Sequence, residues 1–306
     1  MNKRKLGHSD LYVSEIGLGC MSIGTDTNEA KRIIETALDN GINYLDTADL
    51  YDQGLNEEII GGVIKGKRQD IVLATKAGNR FEKGKQGWSW DPSKSHIKHA
   101  VKDSLSRLQT DYIDLYQLHG GTTRDNIDET IEAFDELKQE GLIRHYGISS
   151  IRPNVIREYT KRSQIVSVMM QYSLLDRRPE EWFSLLEEHQ VSVVARGPVA
   201  KGLLTTRALE KTSDSIKEKG YLTYSYKDLG ALRSSFDAEF LQGRPLQAVA
   251  LNYCLASPVV ASVVTGATSP EQVIENSKAI ESYKLTTEEV DWLKHETKTA
   301  VYEQHR

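Results

Sequence analysis

The sequence predicts an α/β protein, a single-domain (β/α)8 TIM barrel, on three observations. Eight short apolar, β-rich runs are spread along the chain, amphipathic stretches of helical period alternate with them, and no Pro/Gly-rich linker divides the 306 residues. A doubly wound open sheet is the competing architecture. It calls for a glycine-rich phosphate turn after the first strand, and the turn here, GLGCMSIG, spaces its glycines wrongly for that purpose.

The elements follow in order. The opening KRKLGHSDLYVSEIG predicts a small hairpin ahead of the barrel, and VSEIGLG (13–19) the first barrel strand. NEAKRIIETALDN carries Ile33, Ile34, Ala37 and Leu38 on one face, a helical stripe. INYLD (42–46), IVLATK (71–76) and YIDLYQLH (112–119) are the next strands, with the helix SKSHIKHAVKDSLSRL before the last of them. NIDETIEAFDELKQEG reads as a helix stopped by Gly141. HYGIS (145–149) precedes a helix opened by Pro153, and VSVMMQY (166–172) precedes PEEWFSLLEEHQ; proline is harmless at a first helical position, where its missing N–H has no intrahelical role. VSVVARG (191–197) is the seventh strand, followed by an insertion at about 203–243 and the helix-like QAVALNYCLA. VASVVTG (260–266) is the eighth, and Pro270 opens its helix. After residue 284, LTTEEVDWLKHETKT predicts one extra C-terminal helix, with Thr286 or Thr287 as cap and Glu289 as its partner. The whole of 1–306 is thus expected to be one barrel with a hairpin, an insertion and an added helix.

Composition bounds the function. A formal charge of -5 and a mean hydropathy of -0.49 describe an ordinary globular chain without a broad basic field, so neither nucleic acid nor membrane is expected as a partner. No run approaches the ~18 apolar residues of a membrane span, and MNKRKLGHSD lacks a signal-peptide core, so a cytoplasmic location is expected. Cys20 and Cys254 fit no metal or redox spacing and read as buried reduced thiols; no metal site is expected. Neither a heptad stripe nor an obvious edge strand marks an interface, consistent with a monomer or weak homo-oligomer.

In a parallel barrel the C-terminal ends of all strands face one mouth. The ends here are Asp46, with Tyr51 in the following loop, then Lys76, His119, Ser149 with Ser150, Gln171 with Tyr172, Arg196 and Gly266. Polar groups closing apolar runs are costly unless partnered. Lys76 needs a carboxylate, which Asp46 on the neighbouring strand can supply; a fixed ammonium near the Tyr51 hydroxyl would pull the phenol down from about 10 and make it a general acid. His119 would orient a carbonyl oxygen or relay a proton. Each residue also has a plain reading: Asp46 as a helix cap, Tyr51 as a half-buried aromatic, Lys76 as a snorkelling lysine, His119 as a bonded core histidine. The plain readings must all hold at one rim at once.

With these residues in place the chain resembles the aldo-keto reductases. The resemblance rests on DTADLY (46–51), Lys76 closing strand three, His119 closing strand four, GISS (147–150), MMQY (169–172) and GATSPEQVIEN (266–276), in order from about Leu6 to Leu293. It implies a nicotinamide cofactor extended across the mouth and reversible reduction of a small-molecule carbonyl substrate to an alcohol, with Asp46, Tyr51, Lys76 and His119 as catalytic tetrad. It further implies that Ser149 and Gln171 hold the nicotinamide carboxamide, that Gly197, Val199 and Lys201 hold the pyrophosphate, and that Glu275 and Asn276 meet the adenine. The insertion corresponds to a loop that closes over the cofactor, where Tyr221, Tyr224 and Tyr226 form a lid or an ordinary surface loop.

Three departures stand out. Ser150 replaces a frequent asparagine. Arg196 replaces a stacking aromatic and is expected to reach a phosphate or a substrate anion, or to favour the reduced cofactor. Gly266 and Gln272 stand where a lysine and an arginine often grip the 2′-phosphate; Thr268, Ser269 and Gln272 offer only neutral donors beside a helix N-terminus. NADP, as NADPH, is the expected cofactor, with weak discrimination against NAD. Trp88 and Trp90 either wall the substrate pocket or pack their own loop. Two other functions compete: a Schiff-base lysine enzyme, which leaves the Tyr51 motif unexplained, and a cofactor-binding redox sensor or regulatory subunit without significant turnover.

Overall fold

A computed structural model describes all 306 residues. Eight parallel strands close into a barrel in sequential order: β1 (Ile16–Gly19), β2 (Tyr44–Asp46), β3 (Val72–Ala77), β4 (Ile113–Leu118), β5 (Ile143–Ser149), β6 (Ser167–Gln171), β7 (Ser192–Arg196) and β8 (Val260–Gly266), with β8 pairing back onto β1. Each of the eight apolar runs forms its strand. The run expected to begin at His145 starts at Ile143, where Ile113 on β4 extends the pairing.

The barrel helices are α1 (Thr27–Asp39), α2 (Leu55–Ile64), α3 (Lys94–Leu108), α4 (Ile127–Gln139), α5 (Pro153–Arg162), α6 (Phe183–Glu188), α7 (Leu246–Ala256) and α8 (Pro270–Glu281). Local chemistry sets their ends: Asp26 accepts from the N–H groups of Asn28 and Glu29 at the start of α1, and Pro153 and Pro270 open α5 and α8. Gly141 adopts φ +74° just past α4, the left-handed residue that ends a helix at little cost. The stretch expected as one helix over 179–190 is divided into a 3₁₀ segment, Arg178–Trp182, and the short α6.

Two apolar layers result. One lies between strands and helices and includes Ile33, Leu73, Phe134, Ile156 and Val249. The other fills the barrel: Tyr44, Ala74, Leu115, Met169, Val194 and Val264 point inward and meet Leu6, Leu11 and Val13 of the N-terminal hairpin, whose strands Lys3–Lys5 and Tyr12–Ser14 pair antiparallel. The hairpin therefore plugs the bottom of the barrel and leaves the C-terminal mouth as the open end.

Between β7 and α7 the insertion folds into helices Asp214–Lys219 and Tyr226–Ser235, then a π-helical stretch, Phe236–Leu241. Phe236 and Phe240 pack against Trp292 of the C-terminal helix Thr287–Glu296, whose cap is the expected reciprocal pair of Thr286 and Glu289. Tyr221 and Tyr224 are buried rather than forming an exposed loop. The last residues fold back: Lys298 N–H donates to the Tyr224 hydroxyl at 2.6 Å, and Asn154 N–H donates to the His305 carbonyl at 2.7 Å. Cys20 and Cys254 are buried free thiols, and no helix is long and apolar enough to cross a membrane.

Candidate active site

Strand register assembles the site. Gly19 pairs with Asp46, Lys76 with Gln117, Met169 with Ser149, and Gln171 with Arg196, so these residues stand at comparable height around the rim. Since alternate residues face inward, Asp46, Lys76, Gln117 and His119 project into the mouth from three adjacent strands. Asp46 and His119 border a cavity of about 800 Å3 that is also lined by Tyr51, Ser149, Arg196 and Gly266 among others.

At its floor Lys76 is 1% exposed. Its Nζ donates to Asp46 Oδ1 at 2.5 Å and to the Thr47 carbonyl at 2.7 Å, and it stands 3.5 Å from the Tyr51 hydroxyl. Burial alone pushes the ammonium towards neutrality; Asp46 and then Tyr51 reverse this, so the lysine stays charged with its pKa above the usual value. Burial likewise raises the Asp46 carboxyl, against the opposing pull of Lys76 and Gln117. Gln117 Nε2 donates to Asp46 Oδ2 at 3.1 Å and is fully buried.

Tyr51 differs from expectation in one respect. Burial raises its phenol more than Lys76 lowers it, so the net shift is upward and not downward. The sequence places the ammonium near the hydroxyl but does not reveal how far the folded chain buries the phenol. A strained turn fixes the phenol: Asp52 and Gln53 both have left-handed backbones, φ +49° and +53°, followed by Gly54 at +92°. Such conformations cost about 1–3 kcal/mol each and persist where surrounding contacts impose them. Gln53 supplies those contacts, donating to the Lys85 carbonyl and accepting from Gly84 N–H, both at 2.7 Å.

His119 meets the Tyr51 ring edge-on at 6.0 Å. Burial, then the charges of Lys76 and Arg196, push its imidazole down to about 3, so it is neutral near pH 7. Its Nδ1 is buried without a partner.

Around the rest of the mouth, the Ser149 side chain faces the cavity, whereas the Ser150 hydroxyl accepts from Arg152 N–H at 3.2 Å. Gln171 is held on all sides. Its Nε2 donates to Asp176 at 2.8 Å and lies 3.4 Å from the Tyr221 hydroxyl, while Oε1 accepts from Arg196 at 3.2 Å. Arg178 clamps Asp176 with two bonds of 2.7 Å. Arg196 thus has a protein partner that the sequence did not disclose.

Gly197, at φ +67°, lines the cavity; Val199 and the exposed Lys201, at φ +58°, continue away from it. Thr268, Gln272, Glu275 and Asn276 sit beyond Gly266, outside the cavity wall. Gln272 Oε1 accepts from Thr268 N–H at 2.9 Å, Glu275 is exposed, and Asn276 is buried, accepting from Gln247 and donating to Thr265 at 3.3 Å. Trp90 packs over Gly78 and Gly120 and donates to Asp125 at 3.0 Å, while Trp88 is 59% exposed at the cavity edge.

Gln117, Asp176 and Arg152 were missed from sequence. For Gln117 a signal existed: a glutamine two residues before His119 in an apolar strand must face the same interior. For Asp176 and Arg152 none did, because their roles depend on loop packing.

The site can be tested for its fit to a nicotinamide. Gly19, Gly197 and Gly266 offer bare backbone on the β7–β8–β1 side of the cavity, and a Cβ at Gly266 would stand 2.3 Å from Ser22 Oγ. An extended cofactor can approach the backbone there, and the free Ser149 side chain lies opposite, so the residues fit the group.

Comparison with known proteins agrees with this geometry. Residues 15–295 match the model of the aldo/keto reductase family. An uncharacterized oxidoreductase, YqkF, of Bacillus subtilis (strain 168) is 62% identical over 306 residues, all of both chains. The holo form of aldo-keto reductase AKR11C1 from Bacillus halodurans superposes with a TM-score of 0.95 at 64% identity, covering 100% of this chain and 99% of that one. An NADH-specific methylglyoxal reductase of Escherichia coli (strain K12) is 31% identical, covering 92% of this chain and 94% of that one. On the barrel, the site residues and these matches together, the chain belongs to the aldo/keto reductase family of oxidoreductases.

Proposed function

We propose that the chain reduces small aldehydes or ketones to alcohols with NADPH, Tyr51 acting as general acid. The observation that carries this reading is the buried chain Asp46–Lys76–Tyr51 on the floor of a ligand-sized cavity. A reduced nicotinamide bound across the mouth would supply the hydride to the carbonyl carbon. The proton that completes the alcohol leaves the Tyr51 hydroxyl for the carbonyl oxygen. Phenolate is then left beside the Lys76 ammonium, which Asp46 keeps charged and aimed, so the charge formed in the step meets a counter-charge already in place. Neutral His119 offers an N–H to the same oxygen.

Ser149 and Gln171 are proposed to orient the carboxamide, Gly197, Val199 and Lys201 the pyrophosphate, and Gly266, Thr268, Gln272, Glu275 and Asn276 the adenosine. Gln171 suits its task because Asp176 and Arg196 fix its amide before any ligand arrives. No lysine or arginine occurs between Gly266 and Asn276. Discrimination between NADPH and NADH is therefore weak, in keeping with the NADH-specific relative.

The test is a panel of aldehydes with each reduced cofactor, following nicotinamide absorbance for the parent and Tyr51→Phe. The reading predicts cofactor oxidation that depends on Tyr51, with the ratio of kcat/KM fixing the cofactor. Tight cofactor binding without oxidation for any carbonyl would refute it and favour a sensing subunit.

A further inference from the structure

We propose that Arg152 forms an anion subsite of the active-site cavity, so that the preferred carbonyl substrates carry a carboxylate at the end remote from the reacting carbonyl. The inference rests on the reductase reading above and names its substrate class.

Its basis is the charge of the cavity wall. Among the lining residues the ionisable groups are Asp46, Tyr51, His119, Arg152 and Arg196. Asp46 is committed to Lys76, His119 is neutral near pH 7 and Tyr51 is a phenol, which leaves two guanidinium groups. Neither guanidinium is paired with a carboxylate. Arg196 is bonded to Gln171, on the side where a cofactor fits. Arg152 is different: its Nη1 donates to the Gly121 carbonyl at 2.5 Å, while Nε and Nη2 make no hydrogen bond within the protein. One bond to a neighbouring loop aims the group, and two donors remain free.

Position separates Arg152 from the cofactor's phosphates. It follows β5, three strands round the barrel from β8 and opposite β1, whereas the glycine-edged side runs along β7, β8 and β1. The phosphates of a cofactor lying on that side are remote from Arg152. Gly120 and Gly121 run from His119 to the carbonyl that Arg152 bonds and carry no side chains of their own; the Trp90 ring packs over Gly120, and Trp88 lines the same cavity. A flat or extended aldehyde with its carbonyl at Tyr51 can therefore lay its other end on Arg152. Ile151 and Arg152 also line a second cavity of about 740 Å3, bordered by the tail residues 299–305. A planar fork with adjacent free donors suits a carboxylate, and such charge-assisted bonds gain most where water is partly excluded.

The experiment compares 4-carboxybenzaldehyde with its neutral counterpart, methyl 4-formylbenzoate, in the parent, Arg152→Gln and Arg152→Lys, at low and high salt. Expected is a parent KM roughly tenfold or more lower for the carboxylate, a preference lost in Arg152→Gln, partly kept in Arg152→Lys and weakened by salt. Equal kcat/KM for the two aldehydes in the parent overturns the subsite but leaves the reductase reading intact. A preference that survives in Arg152→Gln also overturns it. If neither aldehyde is reduced with either cofactor, the reductase reading is left to the wider panel, and binding of 4-(hydroxymethyl)benzoate, followed by tryptophan fluorescence, decides the subsite: tighter binding to the parent than to Arg152→Gln upholds it, and equal binding overturns it.

Discussion

Lys76 Nζ lies 2.5 Å from Asp46 Oδ1, with both side chains almost wholly shut off from solvent at 1% and 5% exposure. A pair buried this deeply is held by each member's need of the other, because removing one partner strands a charge at a cost of about 3–5 kcal/mol. Lys76→Met is therefore expected to lose stability on that scale in urea unfolding and to lower kcat/KM by roughly 10²–10⁴. Combining Asp46→Asn with Lys76→Met removes both charges, so most of the stability returns while activity does not. A double variant no more stable than Lys76→Met would show that the pair is not coupled in this way.

For the proposed carbonyl reduction with Tyr51 as general acid, the direction of the Tyr51 shift would set the alkaline limb. A general acid must be protonated, and burial holds the Tyr51 phenol above its usual value. His119, pushed down to about 3, changes no charge between pH 5 and 8. The kcat/KM profile for reduction is thus expected to stay flat through neutral pH and to fall only under strongly alkaline conditions. An inflection near pH 6.5 that disappears in His119→Asn would contradict the neutral histidine.

Legibility in the sequence followed from how local each determinant is. The eight strands were readable because apolar runs keep their character whatever packs against them, and Asp46, Lys76 and His119 because each ends such a run. Tyr51 was legible by its spacing from Asp46, yet its pKa direction was not, since desolvation depends on loops from distant parts of the chain. The same limit hid the bond from Arg152 to Gly121, which joins two loops, and the Asp176–Arg178 clamp was hidden because only the folded turn after β6 brings it back onto Gln171. The family resemblance placed Arg196 at the nicotinamide, but its contact with Gln171 required the β6–β7 register.

Asp49, in the same loop as Tyr51, is a buried carboxyl with an unpartnered Oδ1. Burial, followed by repulsion from Glu57, pushes it up to about 8. A carboxyl whose pKa is higher in the folded than in the unfolded state binds more protons when folded. It therefore lowers stability as pH rises from about 4 to about 8, with the full penalty above that window. Asp49→Asn is expected to flatten the decline of Tm across this window and to raise Tm at pH 8 by about 2–4 °C. Parallel Tm curves for parent and variant would refute a folded-state titration at Asp49.

Arg196 is half of a contact that bears on the proposed cofactor. Its guanidinium donates to Gln171 Oε1 and is exposed at the cavity edge, where a positive charge disfavours an oxidised, cationic nicotinamide. Arg196→Tyr is expected to tighten NADP+ relative to NADPH by roughly twofold to fivefold, the range open to an exposed charge. Dissociation constants for both forms check this, and unchanged values for both would remove any influence of Arg196 on cofactor binding.

Gln117 separates positioning from chemistry. Its Nε2 holds the Asp46 oxygen that Lys76 does not use, 3.1 Å away and wholly buried, while its own Oε1 has no partner. Gln117→Leu removes the donor and leaves Asp46 Oδ2 unpaired, at about 1–3 kcal/mol. With one oxygen free, the carboxylate can rotate and the ammonium follows it away from Tyr51. The expected result is a loss of about tenfold in kcat with KM for the aldehyde little changed, since Gln117 does not line the cavity. The alkaline limb of the pH profile should shift as well, because the ammonium that stabilises the phenolate is displaced. Gln117→Glu keeps the length but sets a second carboxyl against Asp46, so its activity should recover towards acid pH, where that carboxyl is protonated and again donates. A variant that loses stability while kcat and the pH limb remain those of the parent would make Gln117 a packing residue and nothing more.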